Sequence, residues 1–209
     1  MTNYTFPFST CEKTNKIGVS QPYSAFFNIL NCLMIIYFLQ KTKNTHTFIL
    51  ILALLCFELF HVFSHITHIP GTIQVNIIHL LSYSINIALL YFFYNYTNKI
   101  PSSWFIILYL LLILFDIYVF CNMNVVYYIF TQALLFLSVL FYYYKLLTMN
   151  IKENINTIFI LVVIIIMLFI NEKNNCEKMM SYNPNFPYHI LIEITGIILF
   201  YIICITFYS

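Results

Sequence analysis

Arginine is absent from this chain of 209 residues, and charged side chains of all kinds make up only 8% of it. A soluble domain carries about 25% charged residues because its surface has to be hydrated. A water-soluble fold is therefore excluded. Glycine occurs three times, and no internal repeat, heptad seam or low-complexity linker divides the chain. Residues 1–21 are polar and lack the basic-then-apolar pattern of a signal peptide, so the first apolar stretch is expected to stay as a membrane span. The net charge of +2 is too small to argue for a nucleic-acid partner. What the chain has instead is 62% hydrophobic and 20% aromatic residues, the composition of an integral membrane protein. Residues 1–22 read as an extramembrane segment and 23–209 as one membrane domain.

A helix needs about 20 apolar residues to cross the hydrocarbon core. Seven runs qualify: Tyr23–Gln40, Thr47–His68, Ile73–Tyr94, Ser103–Cys121, Val125–Tyr144, Asn156–Ile170 and Pro187–Tyr208. They are continuous rather than alternating, which selects helices over barrel strands. The fold class predicted is an all-α, seven-transmembrane helix bundle in the lipid bilayer.

Seven crossings put the termini on opposite sides. The N-terminal side carries Lys13, Lys16, Lys173 and Lys178, and the other side Lys41, Lys43, Lys99, Lys145 and Lys152. Five lysines against four place the C-terminus in the cytoplasm and the N-terminus in the lumen or outside. Cys11 and Cys176 both fall on the N-terminal side, in exposed segments. They are either a disulfide, which requires an oxidising compartment, or two free thiols. Cys32, Cys56, Cys121 and Cys204 read as ordinary buried thiols. Asn3-Tyr4-Thr5 is a glycosylation sequon on the same side as Cys11.

The chemistry is concentrated at one membrane edge. Glu58, His61, His65 and His68 recur at i, i+3, i+7 and i+10 in the second span, which is one helix face, with Ser64 beside it. His189 and Glu193 share a face of the seventh span, and His79 lies in the first turns of the third. Polar groups inside a membrane are expensive, so their convergence on one layer points to a site, although any single histidine also serves as hydrogen-bonding glue between helices. Imidazole nitrogen and carboxylate oxygen suit Zn²⁺. Three such ligands with an open fourth position make a catalytic centre that lowers the pKa of a bound water to about 7. Asp116, alone in the fourth span, reads either as a proton-relay group or as a structural partner for a hydroxyl or amide. Asn76, Ser82, Ser84 and Asn86 in the third span either line a polar pocket or pack helices.

Several passages resemble the alkaline ceramidase family, within the seven-span membrane hydrolases that include the adiponectin and progestin receptors. Cys11-Glu12-Lys13-Thr14-Asn15 and Ser24-Ala25-Phe26-Phe27-Asn28-Ile29-Leu30-Asn31 are similar to the family's opening segment and the start of its first span. Phe60-His61 resembles the end of its Ser-x-x-Phe-His metal motif. His189-Ile190-Leu191-Ile192-Glu193-Ile194-Thr195-Gly196 resembles its His-x-x-x-His-Ile-Leu-Thr-Gly motif, with Glu193 in place of the second histidine. Cys176 lies where the family has the cysteine that pairs with the N-terminal one.

The resemblance implies a zinc-dependent hydrolase cleaving the amide of a ceramide-like lipid. Zinc would be held by His189, Glu193 and one of His61, His65 and His68, with His61 the first choice. If His68 is the ligand, Ser64 occupies the place of the family's serine. His79 and Ser64 are assigned to the oxyanion or to the proton passed to the leaving amine. The family's Ca²⁺ site loses its span-one glutamate to Ala25 here, leaving Glu12 and Asn15, which speaks against calcium. Two other classes stay open: a non-catalytic lipid- or metal-binding receptor-like protein, and a metal or proton transporter stepping along Glu58, the histidines and Asp116. The far half of the seventh span offers only Cys204 and Thr206 to a transport path.

Overall fold

The computed structural model describes residues 11–67, 72–122 and 125–208, with side chains from 76 and 126 onward in the last two stretches. His68 and the Asn3-Tyr4-Thr5 sequon lie outside the described residues. Seven α-helices account for the fold: α1 Pro22–Lys41, α2 Thr45–Thr67, α3 Thr72–Thr97, α4 Ser103–Cys121, α5 Val125–Tyr143, α6 Met149–Tyr182 and α7 Ile190–Phe207. All seven are long and apolar enough to cross a membrane, and no strand occurs among the described residues. The protein is an integral, multi-pass, all-α membrane protein.

Helix contacts run α1–α2–α3–α5–α6–α7 and back to α1, a ring of six, with α2 also touching α7 across it. The fourth helix packs on α5 outside this ring. Its buried residues are Tyr109, Asp116 and Val119, while Leu108, Leu111 and Leu114 are exposed. Apolar side chains exposed on a spanning helix meet lipid rather than water.

Local chemistry sets the helix ends. Pro22 occupies the first turn of α1, where its missing N–H is no loss. Glu12 caps that helix, its carboxylate accepting from the backbone N–H of Tyr23 at 2.5 Å and of Ser24 at 3.2 Å, and from the Ser24 hydroxyl at 2.5 Å. Ser102 caps α4 by accepting from the Phe105 N–H at 3.3 Å. The sixth helix runs 34 residues, well beyond the expected Asn156–Ile170. Its polar tail Asn171–Tyr182 contains no Pro or Gly, so the helix continues past the apolar run until the segment that holds Pro184.

The bundle end away from Glu58, His61, His65, His189 and Glu193 is closed by aromatics. Phe93 stacks on Tyr143 with ring centroids 5.1 Å apart and meets Phe207 edge-on at 5.5 Å, and all three are fully buried. The Thr47 hydroxyl donates to the Phe207 carbonyl at 3.2 Å, tying the start of α2 to the end of α7. This plug leaves the polar chemistry at the opposite end.

Candidate metal centre

The spacing read from the sequence puts Glu58, His61 and His65 on the inner face of α2, and the packing of α2 against α7 brings that face to His189 and Glu193. His61 Nε2 lies 2.9 Å from His65 Nε2. Glu193 Oε1 lies 3.1 Å from His65 Nε2 and 2.9 Å from His189 Nε2. Ligand atoms of His61, His65 and Glu193 all fall within 4.8 Å of one another. A tetrahedral zinc with bonds of about 2.0–2.1 Å needs ligand atoms roughly 3.3 Å apart, so the spacing fits with little adjustment.

The hydrogen bonds behind the rings decide what these atoms are. His189 Nδ1 donates to Glu172 Oε2 at 2.8 Å, and His65 Nδ1 donates to the side-chain carbonyl of Gln21. Both partners are acceptors, so each ring carries a proton on Nδ1 and turns its Nε2 toward Glu193. His189 Nε2 and Glu193 Oε1 are buried and have no hydrogen-bond partner. Two imidazole nitrogens and a carboxylate thus converge in a buried space, where a proton on an imidazole or a bound cation balances the carboxylate charge. Carboxylate and amide partners behind metal-binding histidines are the usual orienting shell.

The N-terminal segment completes that shell. Gln21 N–H and Ser20 N–H donate to the carbonyls of His65 and Ile66 at 3.0 and 3.2 Å. Cys11 N–H donates to Glu172 Oε1 at 2.7 Å, and Cys11 is disulfide-bonded to Cys176. One carboxylate therefore joins the disulfide to His189. Glu172→Ala is expected to weaken zinc binding about 10–100-fold, the usual effect of losing an orienting partner, without removing a ligand. Competition titration against a chelator checks this; unchanged affinity would remove Glu172 from the site.

Of the second-span candidates, His61 and His65 are described, and both lie at the cluster. His65 is fully buried and fixed by Gln21, whereas His61 has a side-chain exposure of 19%. The outer nitrogen of His61 has longer contacts, 3.5 Å to Asn28 Nδ2 and 3.7 Å to Glu58 Oε2. The first choice made from sequence, His61, is thus the less firmly oriented of the two. Ser64 is buried but its hydroxyl donates to the His61 carbonyl at 2.7 Å, a back-bond within its own helix.

His79 keeps other company. Its ring stacks on Phe120, with centroids 4.5 Å apart, and Nδ1 meets the Tyr128 hydroxyl at 3.0 Å. Its Nε2 lies 3.8 Å from Asp116 Oδ2. Asp116, fully buried, accepts from the Tyr83 hydroxyl at 2.8 Å, from Gln132 Nε2 at 2.6 Å and from the Thr131 hydroxyl. This second polar cluster ties α3, α4 and α5 together and realises the hydroxyl-and-amide partnership open to Asp116. Asn15, once weighed for calcium, uses its side-chain carbonyl to accept from Ile17 N–H and Val19 N–H, both at 3.0 Å.

Glu172 and Gln21 were missed from sequence. Both lie in polar stretches that read as loop, and the only available signal was that these stretches fall on the same membrane side as the histidines. Fold and site together define a multi-pass membrane protein with a buried His/Glu cluster suited to a divalent metal. No family model, no curated protein and no solved structure matches the chain.

Proposed function

We propose that the protein is a zinc-dependent intramembrane hydrolase acting on the amide bond of a ceramide-like lipid. The observation that carries the reading is the convergence of ligand atoms of His61, His65 and Glu193 within 4.8 Å of one another, with His189 Nε2 2.9 Å from Glu193 Oε1. The resemblance to alkaline ceramidases supplies the reaction class.

His65, His189 and Glu193 would hold the ion, each histidine fixed by its partner behind the ring. Bound zinc supplies a Lewis acid for the scissile carbonyl and lowers the pKa of a coordinated water to about 7. His61, more open and only 2.9 Å from His65 Nε2, would take a proton and return it to the leaving amine, a role the resemblance assigns to His79 and Ser64. Glu58 is 1% exposed with both carboxylate oxygens unpartnered. Its Oε2, 3.7 Å from His61 Nδ1, would favour the charged form of that ring once it has taken the proton. The Cys11–Cys176 bridge supports an N-terminal side that faces an oxidising lumen or the cell exterior, with the C-terminus cytoplasmic, in agreement with the lysine count.

One observation favours the receptor-like alternative. Counting His61, the cluster offers four donors, which is the number that closes a structural zinc site. Purified protein is expected to contain about one zinc per chain and to release fatty acid from labelled ceramide. Zinc with no turnover would select the closed, non-catalytic site, and absence of zinc after metal-replete purification would defeat both readings.

A further inference from the structure

The disulfide and the histidine cluster meet on one face of α6. Glu172 and Cys176 are four residues apart in that helix, so their side chains are neighbours one turn apart. The bridge from Cys176 to Cys11 brings the backbone of Cys11 beside that turn, where its N–H donates to Glu172 Oε1 at 2.7 Å. The other oxygen of the same carboxylate accepts from His189 Nδ1 at 2.8 Å. Glu172 is 2% exposed and Cys11 1%. A carboxylate on the polar tail of α6, which water would otherwise solvate, is thus kept dry and turned toward His189.

The partners of the two fixed histidines are tethered differently. Gln21, behind His65, leads directly into α1, and the N–H groups of Gln21 and Ser20 pin it to carbonyls of α2. Glu12 is held separately, as the cap of α1. None of these bonds passes through the bridge. Cys11 is different, because what joins it to α6 is the bridge and the hydrogen bond to Glu172. One net hydrogen bond contributes too little to hold a free chain segment against water. With the bridge open, Glu172 loses its donor, becomes hydrated and no longer fixes the His189 ring.

We propose that the Cys11–Cys176 bridge is a redox latch on the metal centre: its reduction by a dithiol releases Glu172 and unlocks His189, weakening zinc binding, while His65 stays fixed by Gln21. The buried and part-exposed sulfurs give the reaction a direction. Cys176 is partly exposed, so a thiolate of the dithiol attacks Cys176 Sγ, the S–S bond breaks, and Cys11 Sγ leaves and takes a proton. The second thiol of the reductant then attacks the mixed disulfide and frees Cys176. Two electrons and two protons pass to the protein, and the dithiol becomes a disulfide. The latch rests on the metal reading of the cluster but not on turnover of any lipid.

The test is the zinc affinity of the full-length, detergent-solubilised, zinc-loaded protein, read by competition with a fluorescent chelator. It is measured before and after reduction with dithiothreitol, which is removed without oxygen before the titration. Thiol counting on denatured protein confirms the step, since four free cysteines become six. Reduced protein is expected to bind zinc about tenfold more weakly, at the lower end of the ~10–100-fold effect of a lost orienting partner, and to recover on reoxidation. The Cys11→Ser/Cys176→Ser variant should show the same lowered affinity and no response to the reductant, which excludes the new thiols as the cause. In Glu172→Ala, reduction should change the affinity less than about twofold, because effects carried by one group do not add. Unchanged affinity at six thiols, or an equal loss on reduction in Glu172→Ala, would overturn the latch and leave the metal site standing. Should the serine variant not fold, the cycle of reduction and reoxidation on wild type decides. Protein that takes up no zinc in either state ends the metal reading and the latch with it.

Discussion

Glu193→Ala is expected to bring zinc from about one per chain to near zero and to abolish ceramide turnover. The carboxylate lies 3.1 Å from His65 Nε2 and 2.9 Å from His189 Nε2, so among the described residues it is the anion that touches both imidazoles and would offset the charge of a bound dication. Its loss must exceed the ~10–100-fold effect of an orienting partner, because a ligand and a charge go together. Glu193→Gln provides the more telling contrast. An amide of the same shape keeps a hydrogen-bond partner for Nε2 of His65 or His189 but has no charge to offset a dication. The Gln variant should therefore also lose zinc, and its melt should not respond to added zinc. Elemental analysis with thermal melts, with and without added zinc, reads both effects. Equal zinc in wild type and Glu193→Ala would end the metal assignment.

Asp116→Ala is expected to cost about 2–4 kcal/mol of stability and leave zinc content unchanged. Three donors converge on this buried carboxylate, but they would not suffer equally. The Thr131 hydroxyl has a second acceptor in the Tyr128 carbonyl at 2.9 Å, so its loss is small. The Tyr83 hydroxyl and Gln132 amide would be left without the acceptor they use, at about 1–3 kcal/mol for each buried orphan. Polar contacts in membrane bundles average lower, about 0.6 kcal/mol, because displaced groups find other partners, and this argues for the lower half of the range. Asp116→Asn, which keeps one carbonyl oxygen, should lose less. Unfolding in mixed micelles measures the change. A folded Asp116→Ala protein that had lost its zinc would overturn the separation of the two polar clusters.

The bundle itself was readable because each span is a continuous apolar run and each break is chemically abrupt. The inner face of α2 was readable for a different reason: i, i+3 and i+7 spacing brings Glu58, His61 and His65 to one side of any α-helix, whatever it packs against. The longer reach of α6 was not readable from hydropathy, since a polar tail free of Pro and Gly is compatible with either helix or loop. That one ambiguity concealed Glu172, because a carboxylate in a loop is solvated whereas one on the last inner turns of a helix is held against His189.

Composition and periodicity by themselves determined that the chain is a seven-helix membrane protein, with five of its six histidines expected in one layer at one edge. Only tertiary structure decided how that layer divides. Spanning helices that are apolar nearly all round carry little record of which face turns inward, so the rotation of α3 that commits His79 to Asp116 and Tyr128 was not encoded in its hydropathy. The same packing set Gln21 behind His65 and Glu172 behind His189, and those two contacts hold both rings with Nε2 toward Glu193.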